Sequence, residues 1–211
     1  MVQAQDTPTR EKILEAAINL FSENGYSDIT VREIAQAVGI KASSLYKHFE
    51  CKEDILQSIF DLFQGKMRST EFSREQLEEY VHSVSPEKYL YEAFELFKNV
   101  MWSPLTLKIA KIITMEQGRN RSVRQFFIQE LIQKPTRTLQ CVFEIMMERG
   151  VMERKDARIL AEEYTAYVIF LYFEQNFLKE TPDLPEIEQK MKQHNDFYAQ
   201  YLLTRKEGYA L

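Results

Sequence analysis

Glycine and proline are scarce in this chain, six of each among 211 residues, roughly half the combined usage of about 12% in ordinary proteins. A sandwich or barrel built on many tight turns needs more of both. The glycines Gly25, Gly39, Gly65, Gly118, Gly150 and Gly208 also stand far apart, which leaves no glycine-rich loop to cradle a phosphate. Two cysteines, Cys51 and Cys141, are too few for a disulfide framework or a four-cysteine zinc site. The three histidines, His48, His82 and His194, are isolated from one another and give no metal-ligand spacing. The longest apolar run, Ala166 to Phe173, falls far short of the roughly 20 residues that span a bilayer. No charged, apolar and small-residue succession of a secretory signal opens the chain. These absences point to a reduced, cytoplasmic protein with no cofactor and no membrane span. Basic charge is in deficit too, with 27 lysines and arginines against 32 acids and a net charge of −5. Taken over the whole chain, that balance argues against a nucleic-acid partner.

What is present is helix, punctuated by caps. Thr7-Pro8 supplies an N-cap and a first-turn proline. Ile13, Ala16, Ala17, Leu20 and Phe21 then recur at helical spacing up to Gly25, where a C-terminal glycine closes a helix. Thr30 and Glu33 have the spacing of a capping box, and Val31, Ile34, Ala35 and Val38 form the buried stripe of a short second helix that Gly39 stops. A third helix is expected from about Ala42 to His48, and a fourth from Lys52 with Ile55, Leu56, Ile59, Phe60 and Phe63 inward. Composition softens around Gly65, so a boundary is placed near residue 66, giving domains 1–66 and 67–211. Beyond it Ser73, Ser85 and Ser103 read as N-caps, and a long helix over about 123–149 is kinked or broken by Pro135. Two more helices are expected over 156–179 and 184–206. No alternating strand pattern of useful length occurs. The expected fold is all-α, with about nine or ten helices.

Two short helices joined by a glycine-containing turn, about 31–38 and 42–48, have the form of a helix-turn-helix. A second helix that enters a major groove needs a small, polar first turn. Lys41, Ala42, Ser43 and Ser44 supply one. Leu45 and Phe49 lie on the opposite, apolar face, while Tyr46, Lys47 and His48 place donors at the groove rim, where phosphates lie. Lys52 at the first position of a helix opposes the helix dipole; a phosphate there would satisfy both the lysine and the free amides of the helix end. Residues 41–52 hold three lysines against one acid, Glu50. Local charge therefore reverses the argument from the whole chain.

Residues 10–56 resemble the DNA-binding domain of the TetR family of transcriptional regulators. The resemblance runs through Arg10, Ile13-Leu14, Ala17, Leu20-Phe21, Gly25, Thr30-Val31, Ile34-Ala35, Gly39, Leu45-Tyr46, His48-Phe49 and Lys52-Glu53. The Tyr-x-x-Phe pair followed by Lys-Glu is its most specific part. The resemblance implies a homodimer that binds a palindromic DNA operator as a repressor and is released by a small-molecule effector. Carried over by position, Thr30, Tyr46, His48 and Lys52 would hold phosphates, and Lys41, Ala42, Ser43 and Lys47 would meet base edges. Cys51 departs from the family's usual good N-cap. It reads as an inert, partly buried thiol, with a redox sensor beside Lys52 as the sharper alternative.

The second domain resembles the family in size and helical layout. Phe97, Met101, Trp102, Phe127, Tyr164 and Tyr167 lie on helices that the family packs around its cavity, and their stripes carry no charge, which favours an apolar or aromatic effector. Helix 156–179 is apolar on two sides, one with Ala157, Leu160, Ala161, Tyr164, Val168 and Leu171, the other with Ile169, Phe170 and Phe173; such a helix needs two partners. The helix over 184–206 presents Leu184, Ile187, Met191, His194, Tyr198 and Tyr201 on one face, and pairing both helices with their symmetry mates makes a four-helix bundle. The rival readings are an enzyme and a helical protein-interaction module. Glu78-Glu79 and Glu162-Glu163 are paired carboxylates on solvated helix faces, and no nucleophile motif is present. The residues leave repression and activation both open.

Overall fold

Most helices among the described residues begin where the sequence offers a cap or a proline. The computed structural model describes residues 8–68, 72–179 and 181–202. Within them lie α1 (Thr9–Asn24), α2 (Val31–Val38), α3 (Ala42–Leu45), α4 (Lys52–Met67), α5 (Arg74–Ser83), α6 (Pro86–Met101), α7 (Pro104–Glu116), α8 (Arg121–Phe127), α9 (Lys134–Glu148), α10 (Ala157–Phe177) and α11 (Leu184–Leu202). A π-helical stretch, Ile128–Gln133, joins α8 to α9 in one continuous helical run, so the chain has ten helical runs among the described residues and no strand. The all-α expectation holds.

The caps explain the boundaries. Ser73 accepts from the Gln76 amide in a full capping box, Ser85 accepts from Lys88 N–H at 3.2 Å, and Ser103 caps α7 ahead of Pro104. The Thr7 cap lies outside the described residues, and Pro8 occupies the cap position one residue ahead of the helix. The α-helix expected over about 123–149 is broken ahead of Pro135, which lies in the first turn of α9. The wide π turn comes just before it and absorbs the missing i→i−4 bond upstream.

By packing, the chain divides into two compact units, residues 1–69 with 100–128, and 70–99 with 129–211. In the first, α1 lies against α2, α4 and α7. Its core is built on Ile13, Phe21, Ile34, Leu45, Phe49, Ile55, Ile59 and Phe63, all almost fully buried, and α7 adds Ile109, Ile112 and Ile113. Phe126 of α8 stacks on Phe60 at 4.3 Å and meets Phe63 edge-on at 5.7 Å. Burying side chains of this size stabilises a core by about 1.5–3 kcal/mol each.

In the second unit α10 packs chiefly on α9, with α5 on α9 and α11 on α10. Arg74 anchors α5 to α9, with its guanidinium 3.0 Å from Glu148 and 3.6 Å from Glu144. Phe143, Tyr164 and Tyr198 form the aromatic centre. Tyr164 Oη donates to Asn195 Oδ1 at 2.6 Å, and Tyr198 Oη donates to the Leu160 carbonyl at 3.0 Å, so both of these phenols have an acceptor. The expected α11 face is partly as foreseen: Ile187, Met191 and Tyr198 are buried, whereas Leu184 at the helix start is exposed. The Tyr201 side chain lies outside the described residues.

Candidate nucleic-acid interface

The capping box reads from the sequence into the structure directly. Thr30 Oγ1 accepts from Glu33 N–H, and Glu33 Oε2 accepts from Thr30 N–H at 2.7 Å. That bond holds the Glu33 carboxyl below its ordinary range. At the other end of α2 Gly39 adopts φ +75°, a left-handed conformation that costs an L side chain energy. Its N–H and that of Ile40 return to the Gln36 and Ala35 carbonyls at 3.0 and 2.9 Å, turning the chain into α3.

The third helix is shorter than its apolar and basic pattern suggests. Only Ala42–Leu45 is α-helical; Lys47 and His48 then bond back three residues, to Ser44 O and Leu45 O. Phe49 follows Leu45 into the same core, with 1% and 0% of their surface exposed. With both apolar side chains inward, the rest face out: Lys41, Ser43, Tyr46, Lys47 and His48 are exposed, and Ala42 and Ser44 half-buried. Thr30 is exposed as well. Tyr46 leaves 53% of its surface in solvent, unusual for a ring beside a packed core. Arg10 lies over the Phe49 ring at 4.8 Å and donates to Ser58 Oγ at 2.9 Å, which pins α1 and α4 behind this face.

Lys52 has more structural company than the sequence indicated. Its Nζ lies 4.2 Å over the Tyr26 ring and donates to the Ser27 carbonyl at 3.4 Å. These contacts offset its unfavourable position at the start of α4. Burial lowers its pKa, against the pull of Glu53 and Glu116. Cys51 makes no side-chain cap bond, as expected of a thiol, but it is exposed and not partly buried. Its extended backbone, φ −154°, leaves it outside the helix.

Sequence reasoning missed Glu116. Although 3% exposed, its carboxylate accepts from Tyr26 N–H at 3.0 Å and from Ser27 Oγ at 3.1 Å. The last turn of α7 thereby grips the segment leading into Thr30. A glutamate closing an otherwise apolar stripe was the available signal.

The six residues assigned to an effector site fall in both units. Met101, Trp102 and Phe127 belong to the first, and Phe97, Tyr164 and Tyr167 to the second. Met101, Trp102, Phe127 and Tyr164 are buried, Phe97 and Tyr167 half-buried. A cleft of about 500 Å³ in the second unit, walled by α5 and α6, is lined by none of them.

Comparison with known proteins bears on the exposed face. Residues 13–59 match the family described as bacterial regulatory proteins, tetR family. That stretch, from α1 into α4, is similar to the helix-turn-helix domain of this family. Over 77 residues the chain is 36% identical to the HTH-type transcriptional regulator UidR of Escherichia coli K12, a match covering 36% of this chain and 38% of UidR. Over 48 residues it is 48% identical to IcaR of Staphylococcus aureus strain Newman, a negative transcriptional regulator of the icaADBC biofilm operon, covering 23% of this chain and 26% of IcaR. The matches thus span well under half the length of these relatives, both of them transcriptional regulators. The fold extends further than the sequence likeness. A TetR-family regulator structure from Mesorhizobium loti aligns with TM-score 0.72 at 17% identity, covering 96% of this chain and all of that one. A regulator from Saccharomonospora viridis, solved in complex with choline, aligns with TM-score 0.63 at 19% identity, covering 95% and 100%. A TetR-type helix-turn-helix domain followed by a helical C-terminal domain is therefore the architecture of this chain. No helix among the described residues is long and apolar enough to cross a membrane.

Proposed function

We propose that this TetR-family chain is a cytoplasmic, ligand-responsive transcriptional repressor that binds a palindromic DNA operator as a homodimer and leaves it when a small molecule binds. One observation carries the reading. Lys41, Ser43, Tyr46, Lys47 and His48 stand exposed on a turn whose Leu45 and Phe49 are locked into the core. Such a face suits DNA: the small first turn of α3 approaches base edges, and the surrounding donors take phosphates. Thr30 and Lys52 add phosphate contacts on either side. The kinship with UidR and IcaR supports the same reading. The acidic total of the chain weakens non-specific binding, so affinity depends on two half-sites matched to the dimer.

Residues 1–66 form the DNA-reading part in this proposal, and 67–211 the effector and dimer part. Exposed apolar side chains on α10 and α11, Phe170 at 54%, Phe177 at 41% and Phe197 at 54%, support pairing of these helices with a second copy. The effector acts by favouring a dimer state whose recognition turns no longer fit the half-site spacing. The test is fluorescence anisotropy on the chain's own upstream DNA and on random duplex, across a salt series. The expected result is tight binding to one upstream site, with log affinity falling linearly in log salt. Equal affinity for random duplex would refute operator recognition.

A further inference from the structure

The cleft between α5 and α6 lies wholly within residues 72–96 of the second unit. Its volume of about 500 Å³ is in the range of small-molecule sites. Three aromatic rings line it, Phe72, Tyr80 and Tyr89, together with Leu77 and two carboxylates, Glu79 and Glu92. No lysine or arginine does. The Tyr80 and Tyr89 rings lie 5.8 Å apart with planes inclined by 59°, so their faces form a corner. The electron-rich face of an aromatic ring attracts cations. A corner of two rings, with carboxylates beside it, supplies that attraction from several directions.

The polar groups have the occupations such a site needs. Tyr80 Oη donates to Glu92 Oε2, which turns the phenol toward the carboxylate and leaves the ring to present its face. Burial and that hydrogen bond keep both phenols protonated, Tyr89 chiefly by burial and Tyr80 chiefly by Glu92. Glu79 makes no ion pair among the described residues. Glu92 has Lys88 at 3.7 Å, with 60% of the lysine side chain in solvent; a long, exposed pair of this kind yields readily to a better-placed cation. The cleft floor is fixed, because Leu77 is buried and Arg74 ties α5 to α9.

We infer that the α5–α6 cleft is the effector site and that it takes an organic cation with an apolar or aromatic body. The uncharged stripes of Phe97, Met101, Trp102, Phe127, Tyr164 and Tyr167 lie elsewhere and do not decide the ligand's charge. This inference rests on the ligand-responsive reading above, since a cleft of this kind acts as a switch only if occupancy changes DNA binding.

The experiment is calorimetric titration of the full chain with tetraphenylphosphonium and with benzyltrimethylammonium, using tetraphenylborate as an anion matched to the first in size and shape. At least one cation binds and the borate binds at least tenfold more weakly. Glu79→Gln with Glu92→Gln lowers cation affinity at least tenfold, and Tyr89→Leu lowers it several-fold, with unchanged helical circular dichroism in each variant. Binding of neither cation, equal binding of the borate, or unchanged affinity in the glutamine variant overturns the inference. Operator anisotropy on the same preparations separates the two claims. Cation binding that leaves operator affinity unaltered overturns the effector role while the repressor's DNA binding stands; loss of operator binding by the unliganded chain overturns the repressor reading itself.

Discussion

Glu116, at the end of α7, accepts a hydrogen bond at 3.0 Å from the backbone N–H of Tyr26, ninety residues earlier in the chain. The same carboxylate takes the Ser27 hydroxyl, and the Ser27 carbonyl takes Lys52. A buried acid thus positions the segment between α1 and the cap of α2, and through it a lysine proposed to hold DNA. Glu116→Ala leaves a buried amide without an acceptor, at a cost of about 1–3 kcal/mol in urea unfolding. Glu116→Gln retains an acceptor oxygen and loses less. Gly25→Ala should mimic the defect, because its φ is +87° and a Cβ there would come 3.2 Å from Glu116 Oε1. Wild-type stability in Glu116→Ala would refute the role.

Lys47 and Lys52 are expected to fail differently. Lys52→Ala weakens all duplexes alike and lowers the salt slope by about 1. It also loses the contact with Tyr26, a loss of about 0.5–1 kcal/mol in stability. Lys47→Ala, on an exposed turn, leaves stability unchanged and relaxes base preference. Competition anisotropy with substituted operators reads the distinction, and equal loss on specific and random DNA for Lys47→Ala would rule out base reading there.

The capping box makes a pH prediction. Glu33 is held below its ordinary value of 4.5, first by the Thr30 backbone N–H and then by the Thr30 side chain. A depressed carboxyl stabilises the fold above its unfolded pKa and stops doing so as pH falls through the folded value. The stability difference between wild type and Glu33→Gln should be full at neutral pH and shrink below about pH 4.5. Thr30→Ala should cost about 0.5–2 kcal/mol at neutral pH through loss of the cap. A Glu33→Gln difference that persisted undiminished at low pH would exclude this origin.

His194 gives the opposite end of the titration. It is packed among the rings of Tyr164, Tyr167 and Tyr198 at 4.6, 4.3 and 5.0 Å, and burial pushes its pKa down to about 4. Between that value and the 6.5 of a free imidazole, the unfolded chain binds a proton that the native chain refuses. Stability therefore falls as pH drops through this window and is unaffected by this residue above it. His194→Phe retains the ring packing, so its Tm should vary less between pH 4.5 and 6.5 than that of wild type. An identical slope in the two proteins would assign the titration elsewhere.

The proposed dimer rests on the exposed rings of α10, Phe170 first among them. Light scattering should return about twice the 25.0 kDa chain mass, and Phe170→Glu should return the single-chain mass without loss of helix. A wild-type chain that scattered as a monomer at micromolar concentration would remove the dimer, and with it the palindromic operator.

Much of the fold is legible in the sequence because it depends on local chemistry. Thr30-Glu33, the Ser73 cap and Gly39 act within a turn or two, and their patterns carry their own geometry. The inward pairs Leu45 and Phe49, and Ile187 and Met191, follow from periodicity. What stayed hidden depends on distant partners. Nothing around Lys52 announces Tyr26, and nothing around Glu116 announces Ser27. Nothing around Tyr80 announces Tyr89, whose ring lies across from it at an inclined angle on the next helix. The length of α3 was overestimated because a single α-turn continued by three-residue hydrogen bonds has the same apolar spacing as a longer helix.

That brevity of α3 has a further meaning. Four residues of α-helix have almost no stability of their own, so the turn keeps its shape because Leu45 and Phe49 are clamped from beneath. The outer positions, Lys41, Ser43, Lys47 and their neighbours, contribute little to folding. They are free to be rewritten, one by one, without endangering the protein that carries them. With the proposed DNA-reading role, descendants of such a chain acquire new addresses on a genome at nearly constant thermodynamic stability, and a designer can exchange these letters in the same way.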